Sequence, residues 1–552
     1  VTDAVREAVP TTVESPGASG STSFAHLPVL DGLRALAVVP VVLFHIWGRF
    51  RGGFIGVDLF FVISGFLITS ILVRERDRTG RIDLRGFWGR RVRRLVPAVV
   101  VLVGVCAVAA AALGLGTALG FADSLGALTW SQNWVHLWAS GTRWGAAAAH
   151  QSLIDHLWSL AVEEQFYLVW PLVLLAVCRR LPRRGQRIAV VLVLGAASAV
   201  AMGAVDPGAA YFRSDARAFE LLGGAVLAVS GWRPRRATAS LLAAVGIAAT
   251  IAFTFLGSPL DAWMYPWGFL AATATFSGLV AAAAAPPTWM SAVFSRPLQA
   301  VGRVSYGIYL WHVPVIRILT PGRTHLATVP LTALRLVVLA AVVVGSYRLI
   351  ETPVRARSWS LTPPRVAVAS VLVIAALVPL GVAARRDLDH QYDATTPPPT
   401  VAAGGARVLV VGDGTATTIA RSFPAASTWD VSRWQCGLLP GGVRQRGRVV
   451  HLDEACDHWR ERWRHAVERF RPDVVVVASS TWDLFQRGDG RWSVEGADRR
   501  TYQQAADLLG RHGAQVVWVE PAYTSSMAPV PAAERARRLT RMTALADVVG
   551  SL

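Results

Sequence analysis

Apolar residues run in long blocks along this chain instead of alternating with polar ones. Such stretches fall near 29–47, 53–73, 96–115, 157–178, 188–205, 218–231, 238–256, 265–285, 303–320, 329–350 and 366–384. Most reach the ~17–25 residues with which a helix crosses a bilayer, so the pattern predicts eleven transmembrane helices. The first 25 residues are rich in Ser, Thr, Pro and Gly and read as a disordered cytoplasmic tail. No charged segment and cleavage site precede the first apolar run, so no removable signal peptide is expected. After Ala384 the pattern changes. Residues 385–405 contain Thr395-Thr396-Pro397-Pro398-Pro399-Thr400 and read as a linker. Beyond it, Val408–Val411, Val474–Val477 and Gln515–Val519 read as strands, with helical segments at His458–Phe470 and 501–511. Strands alternating with helices predict a small α/β domain over 406–552.

Composition agrees with a membrane protein. Of 552 residues, 53% are hydrophobic and 16% charged, and the mean hydropathy is +0.41. Soluble domains carry about a quarter charged residues, so neither a disordered chain nor an ordinary soluble enzyme fits. The net charge is +19, and every basic residue is Arg. A pI near 11.1 invites a nucleic-acid partner, but the placement of the arginines argues against one. Residues 1–384 carry net +16 and residues 385–552 only +3. Loops two-three, four-five, six-seven, eight-nine and ten-eleven hold 23 Arg, and the other five hold six. Positive loops mark the cytoplasmic side. The expected location is the plasma membrane, with the N-terminus inside and the C-terminal domain outside. The alternation holds only if the short stretch at 218–231 crosses.

Polar residues inside apolar helices are the candidate chemistry, because their desolvation is costly. Arg34 and His45 are eleven residues apart on the first span. That spacing returns them to one face within roughly 20° and separates them by about 16 Å. His45 reads either as a hydrogen-bonded core histidine or as a base. Asp58 lies near the outer end of span two, and Glu163 and Glu164 lie inside span four, whose outer end carries Asp155 and His156. Arg217 and Glu220 are spaced to pair on a helix. His312 lies mid-span with Ser305, Tyr306 and Tyr309 on the inner half of its helix. A histidine near carboxylates suits general base catalysis, and the same set suits a proton relay in a transporter. Arg90, Arg91, Arg93 and Arg94 read as inner-surface charge against lipid phosphates or as a clamp for a phosphorylated donor. Cys106 and Cys178 fall in spans and read as inert thiols. Cys436 and Cys456 fall in the outer domain, where a disulfide is permitted. No metal set is expected.

Seven ordered blocks carry a resemblance: LDGLRALAVVPVVLFH (30–45), GGFIGVDLFFVISGFLIT (52–69), FWGRRVRRLVPA (87–98), DHLWSLAVEEQFYLVWP (155–171), RAFELLGGAVLA (217–228), GRVSYGIYLWHVP (302–314) and IETPVR (350–355). Together they resemble the acyltransferase family 3 membrane proteins, over a domain expected at 26–360 with an extra span at 361–384. The resemblance implies transfer of an acyl group, often acetyl, to hydroxyls of cell-surface glycans or lipids. It implies acyl-CoA, such as acetyl-CoA, as a cytoplasmic donor substrate, with no bound cofactor. By the same match, Arg34, Arg90, Arg91, Arg93 and Arg94 bind the donor, and His45 is catalytic with Glu163 or Glu164 orienting it. Asp58, Ser305, Tyr306, Tyr309 and His312 support the site.

The outer domain resembles SGNH hydrolases, a flavodoxin-like three-layer fold. VLVVGDGTA (408–416) aligns with the first block, but Gly414 stands where the nucleophilic Ser belongs. The third block, Ser479-Ser480-Thr481-Trp482-Asp483, has no Asn, and no Asp-x-x-His follows it through Leu552. This domain is therefore expected to lack hydrolase chemistry. The sequence reading is thus a membrane O-acyltransferase acting on an extracytoplasmic glycan or glycolipid, in contact with membrane lipids and without a nucleic-acid partner. The alternative is a proton-coupled exporter of an envelope precursor, with the outer domain as a glycan-binding module.

Overall fold

A computed structural model describes residues 27–355 and 398–551, apart from 48–49, 114–120, 143–151, 206, 260, 403, 421–422, 424–425, 434–435, 446–447, 451–453, 479–480 and 520–531. The expected tail at 1–25, the span at 366–384 and most of the linker lie outside the described residues.

The other ten apolar stretches are helices: α1 Pro28–Trp47, α2 Gly56–Thr79, α3 Leu84–Ala112, α4 Leu157–Arg180, α5 Arg184–Ala204, α6 Ser214–Ser230, α7 Arg236–Leu256, α8 Trp267–Ala284, α9 Ser305–Ile318 and α10 Thr328–Ser346. Eight of the described helices are long and apolar enough to cross a membrane. The exceptions are α6, with 17 residues, and α9, with 14. Helix α3 starts well before the expected 96, because the arginine segment is itself helical. Asp83 caps it, its carboxylate accepting from the Gly86 N–H at 3.0 Å.

Helices α2 and α6 form the centre of the bundle, with α5, α1 and α8 packed around them. Glycine allows their close approach. A Cβ on Gly65 would overlap the Leu221 carbonyl oxygen, and one on Gly224 would overlap that of Val62. Small residues let helix backbones touch in this way where lipid supplies no hydrophobic drive. Beside this contact sits a fully buried ion triad. Arg217 Nη2 lies 3.0 Å from Asp58 Oδ1, and Arg217 Nε lies 2.9 Å from Glu220 Oε1. The guanidinium carbon also stands 4.4 Å from the Phe269 ring centre and 5.1 Å from that of Tyr211. The Arg217–Glu220 pair expected from helical spacing is present, and Asp58 of α2 completes it.

The C-terminal part contains a parallel sheet of β1 Val408–Gly412, β2 Thr428–Asp430, β5 Val474–Ala478 and β7 Gln515–Val519, in the order β2-β1-β5-β7. A second, antiparallel sheet joins β3 Val443–Gln445, β4 Arg448–Val450 and β6 Gln486–Arg487. Helices Trp459–Phe470, Gly496–Leu509 and Ala532–Gly550 supply apolar faces to the core around Leu409, Val475 and Tyr502. Cys436 and Cys456 are disulfide-bonded, while Cys106 and Cys178 are free and buried. Just past the disulfide, the buried Asp483 carboxylate accepts from the Leu438 and Leu439 N–H groups and from Tyr502 OH. Burial pushes this carboxyl above its ordinary range despite those donors.

Candidate active site

Helix α1 runs unbroken from Arg34 to His45, so the two stand about 16 Å apart along its axis. Arg34 reaches a cavity of about 190 Å3 enclosed by α1, α2, α3, α4 and α9. Its charged lining is Arg34, Arg91, Arg94, Glu163 and Glu164, and its hydroxyls come from Ser64, Ser159, Tyr167, Ser305, Tyr306 and Tyr309. Apolar side chains such as Phe60, Phe61 and Leu67 fill the rest of the wall. This is the profile of a ligand site: mostly apolar, with a few convergent polar groups.

The Arg34 end holds the charge. Glu163 accepts hydrogen bonds from Ser64 and Tyr167, and Tyr167 OH lies 2.9 Å from Ser64 Oγ. The Arg91 guanidinium stands 5.3 Å from the Tyr167 ring centre. Arg34 Nε, Arg94 Nε, Glu164 Oε1 and Ser305 Oγ are buried without hydrogen-bond partners among the described residues. Each such group costs about 1–3 kcal/mol. Two unpaired guanidinium donors beside one cavity are suited to an anionic or carbonyl-bearing ligand.

Helical geometry sorts the four arginines of α3. Arg91 and Arg94 flank the face that lines the cavity. Arg90 lies roughly 70° and Arg93 roughly 130° away from the centre of that face, and neither lines the cavity.

At the far end stand three histidines. His45 Nδ1 lies 2.8 Å from the Val41 carbonyl and 3.3 Å from His312 Nε2. His312 Nδ1 lies 2.6 Å from the Tyr309 carbonyl. His156 Nε2 lies 3.1 Å from the Leu310 carbonyl, and its ring centre is 5.0 Å from that of His312. A carbonyl can only accept, so each of these contacts assigns the proton to that ring nitrogen. His312 Nε2 then accepts from His45 Nδ1–H, and His45 Nε2 is left with its lone pair. Tyr309 separates these rings from the cavity that it lines. Its hydroxyl lies 2.5 Å from Ser159 Oγ and donates to the His156 carbonyl at 2.5 Å.

Three expectations change in detail. The hydrogen bonds of Glu163 run to Ser64 and Tyr167, not to His45, and Glu164 also faces the arginines. The carboxylates sit at the other end of α1 from His45, and the neighbour that fixes His45 is His312. Asp58 belongs to the Arg217 triad and does not line the cavity. Ser305, Tyr306 and Tyr309 all line it, with Tyr306 OH donating to the Leu95 carbonyl at 3.0 Å. Ser64, Ser159 and Tyr167 were not singled out from sequence, and His156 was noted without a role. The signal was present in the i, i+4, i+8 spacing of Ser159, Glu163 and Tyr167. Among the described residues no cluster could hold a metal ion.

The sequence matches the family described as "Acyltransferase domain", the type 3 acyltransferases, over residues 27–350. It is 36% identical over 353 residues to the peptidoglycan O-acetyltransferase OatA of Listeria monocytogenes, covering 60% of this chain and 56% of the relative. It is 34% identical over 405 residues to the O-acetyltransferase OatA of Staphylococcus aureus, covering 67% of this chain and 64% of the relative. The chain thus spans less than two thirds of the length of either curated relative. No solved structure matches it. With its family match extending over more than half of its length, this chain belongs to acyltransferase family 3.

Proposed function

We propose that the chain is a membrane O-acyltransferase that moves an acyl group, in the first instance acetyl, from acyl-CoA to a hydroxyl of a cell-envelope glycan or glycolipid. One observation carries the reading: a single cavity has unpaired arginine donors at one end and, behind Tyr309 at the other, a histidine whose Nε2 is free to act as a base. The names of the relatives favour peptidoglycan as the acceptor. The arginine bias of the loops favours donor entry from the cytoplasm.

In this reading Arg34, Arg91 and Arg94 hold the phosphate groups of the donor, since guanidinium forks match phosphate oxygens. The pantetheine arm extends along the cavity and brings the thioester towards Tyr309. His45 Nε2 takes the proton of the acceptor hydroxyl as that oxygen attacks the acyl carbon, and the C–S bond breaks with its electron pair on sulfur, so that coenzyme A leaves as a thiolate that takes up a proton to become the free thiol. His312 holds the imidazole in the required tautomer and shares the charge that forms. The C-terminal domain, with Gly414 at the place of a nucleophile, presents the glycan without reacting with it.

The test is transfer by purified protein in liposomes from radiolabelled acetyl-CoA to a short N-acetylglucosamine oligosaccharide. Labelled ester from the wild-type chain and none from His45→Ala is the expected outcome. Equal ester from both would overturn the role of His45, and none from either the acyltransfer reading.

A further inference from the structure

Resting on that acyltransfer reading, the shape of the cavity bears on which acyl group is carried. Transfer exchanges the C–S bond for a C–O bond at the acyl carbon and leaves the tail on that carbon unchanged. The tail must find room wherever the thioester is held, and the walls at that place set its length and polarity. The charged lining residues, Arg34, Arg91, Arg94, Glu163 and Glu164, belong to the arginine end. Glu163 is joined there to Ser64 of α2 and to Tyr167, so Ser64 marks the border between the two halves.

The Tyr309 half is apolar. On α2, Phe60 and Phe61 lie about one turn and Val57 about two turns before Ser64, roughly 5–10 Å further from the arginines. On α4, Ser159 and Leu160 lie about one turn before Glu163. All five line the cavity together with Tyr309. The Phe60 ring centre stands 6.4 Å from that of Tyr309, and Ser159 Oγ lies 2.5 Å from Tyr309 OH, so α2, α4 and α9 meet at one place. The protons of both hydroxyls are engaged: Tyr309 donates to the His156 carbonyl, which leaves Ser159 to donate to Tyr309. An alkyl tail loses nothing by this, whereas a carboxylate on the tail would be buried without a donor. Val57, Phe61 and Leu160 are buried, and the Phe61 ring centre is 5.7 Å from the Arg217 guanidinium carbon. The ion triad thus backs that part of the wall. Phe60 is half-buried, and its ring is the part that a smaller side chain would open.

We propose that Phe60, with Val57, Phe61 and Leu160, forms the acyl pocket and restricts the donor to short, unsubstituted acyl groups, acetyl before propionyl and butyryl. Phe60 is then a specificity-determining residue: it touches the tail and takes no part in proton transfer. In a hydrophobic pocket that fits one chain length, an added methylene is rejected by roughly 10-fold or more.

The test measures kcat/KM for acetyl-, propionyl-, butyryl- and succinyl-CoA, with the full chain in liposomes and a short N-acetylglucosamine oligosaccharide as acceptor. Wild-type protein is expected to favour acetyl-CoA over butyryl-CoA at least about tenfold, with propionyl-CoA between them and succinyl-CoA a poor donor. Phe60→Ala should raise the butyryl-to-acetyl ratio at least about tenfold, and Phe60→Leu should raise it by less. A ratio taken within one preparation does not depend on how much of the variant folds, and Phe60→Leu supplies it should Phe60→Ala fail to insert. Leu67→Ala, which trims a lining residue on the arginine side of Ser64, should leave the ratio unchanged. Equal use of acetyl-CoA and either butyryl- or succinyl-CoA by the wild-type chain would overturn the proposal. So would a ratio in the Phe60 variants no higher than that of the wild type, or one raised as much by Leu67→Ala. Absence of ester from every donor with the wild-type chain would instead overturn the acyltransfer reading and this inference with it.

Discussion

His45 Nδ1 and His312 Nε2 face each other at 3.3 Å, although they lie 267 residues apart in the chain. The Val41 carbonyl on the same Nδ1 fixes the proton there, so Nε2 is the nitrogen of His45 that can act as the base. Replacing His45 with Ala should cut transfer by about 10²–10⁴-fold without loss of the inserted, folded protein. His312→Ala should also lower the rate constant while leaving the acetyl-CoA requirement nearly unchanged. Steady-state kinetics on both variants checks this; a raised requirement with normal maximal rate would place His312 in donor binding.

The arginines of α3 should divide by helical face. Arg91→Ala and Arg94→Ala remove charges that line the cavity, and each should raise the acetyl-CoA requirement about tenfold or more. A charged hydrogen bond is worth about 1.5–3 kcal/mol. Arg90→Ala and Arg93→Ala should stay within about twofold. Isothermal binding of coenzyme A to the four single variants provides the comparison.

The Arg217 triad should behave as buried ions do. Arg217→Met leaves Asp58 and Glu220 without their cation in a site with no solvent access. Removing one partner of such a network costs about 3–5 kcal/mol. Adding Asp58→Leu and Glu220→Leu to Arg217→Met should recover much of the loss. Thermal unfolding in detergent reads both effects. A triple variant no more stable than the single one would show that the charges have a value beyond pairing.

Reduction should loosen the C-terminal domain. The Cys436–Cys456 bond has a sequence separation of 20, and closing a loop of that size stabilises by about 3 kcal/mol through chain entropy. A Cys436→Ser, Cys456→Ser chain should unfold this domain at lower denaturant while the membrane helices stay intact. Tryptophan fluorescence follows it, since Trp459 and Trp463 are buried beside the bond.

Acid should act on the Arg407–Asp473 contact. The Arg407 guanidinium and N–H hold the Asp473 carboxyl down to about 2 from its ordinary 3.8. A depressed folded value means stabilisation is complete above the unfolded pKa and fades as pH falls through about 2. An NMR titration should give a midpoint near 2 for Asp473. Arg407→Ala should move it towards the ordinary value, though not fully, because the backbone donor remains.

The apolar blocks and arginine-rich loops made the membrane helices legible, since length and hydropathy are local properties of the chain. The Arg34–His45 face was legible for the same reason, being set by the repeat of one helix. The partner of His45 was not, because His312 arrives from a different helix and only packing brings it there. The carboxylates show the same limit. Helical spacing placed Glu163 and Glu164 inside α4, but depth along the bundle, which the sequence does not state, put them beside the arginines. Asp58 joined Arg217 through the α2–α6 contact, where the spacing of α6 alone gave only Glu220.

The contact of Gly65 with Leu221 and of Gly224 with Val62 has a mechanical consequence. Two backbones in direct contact, riveted by an ion triad, cannot slide or separate without breaking both. Helices α2 and α6 therefore form the fixed jaw of the molecule. Any opening that admits a bulky donor or acceptor must come from the other walls of the cavity, α1, α3, α4 and α9, which carry the arginines, the hydroxyls of Ser159 and Tyr167, and Tyr309.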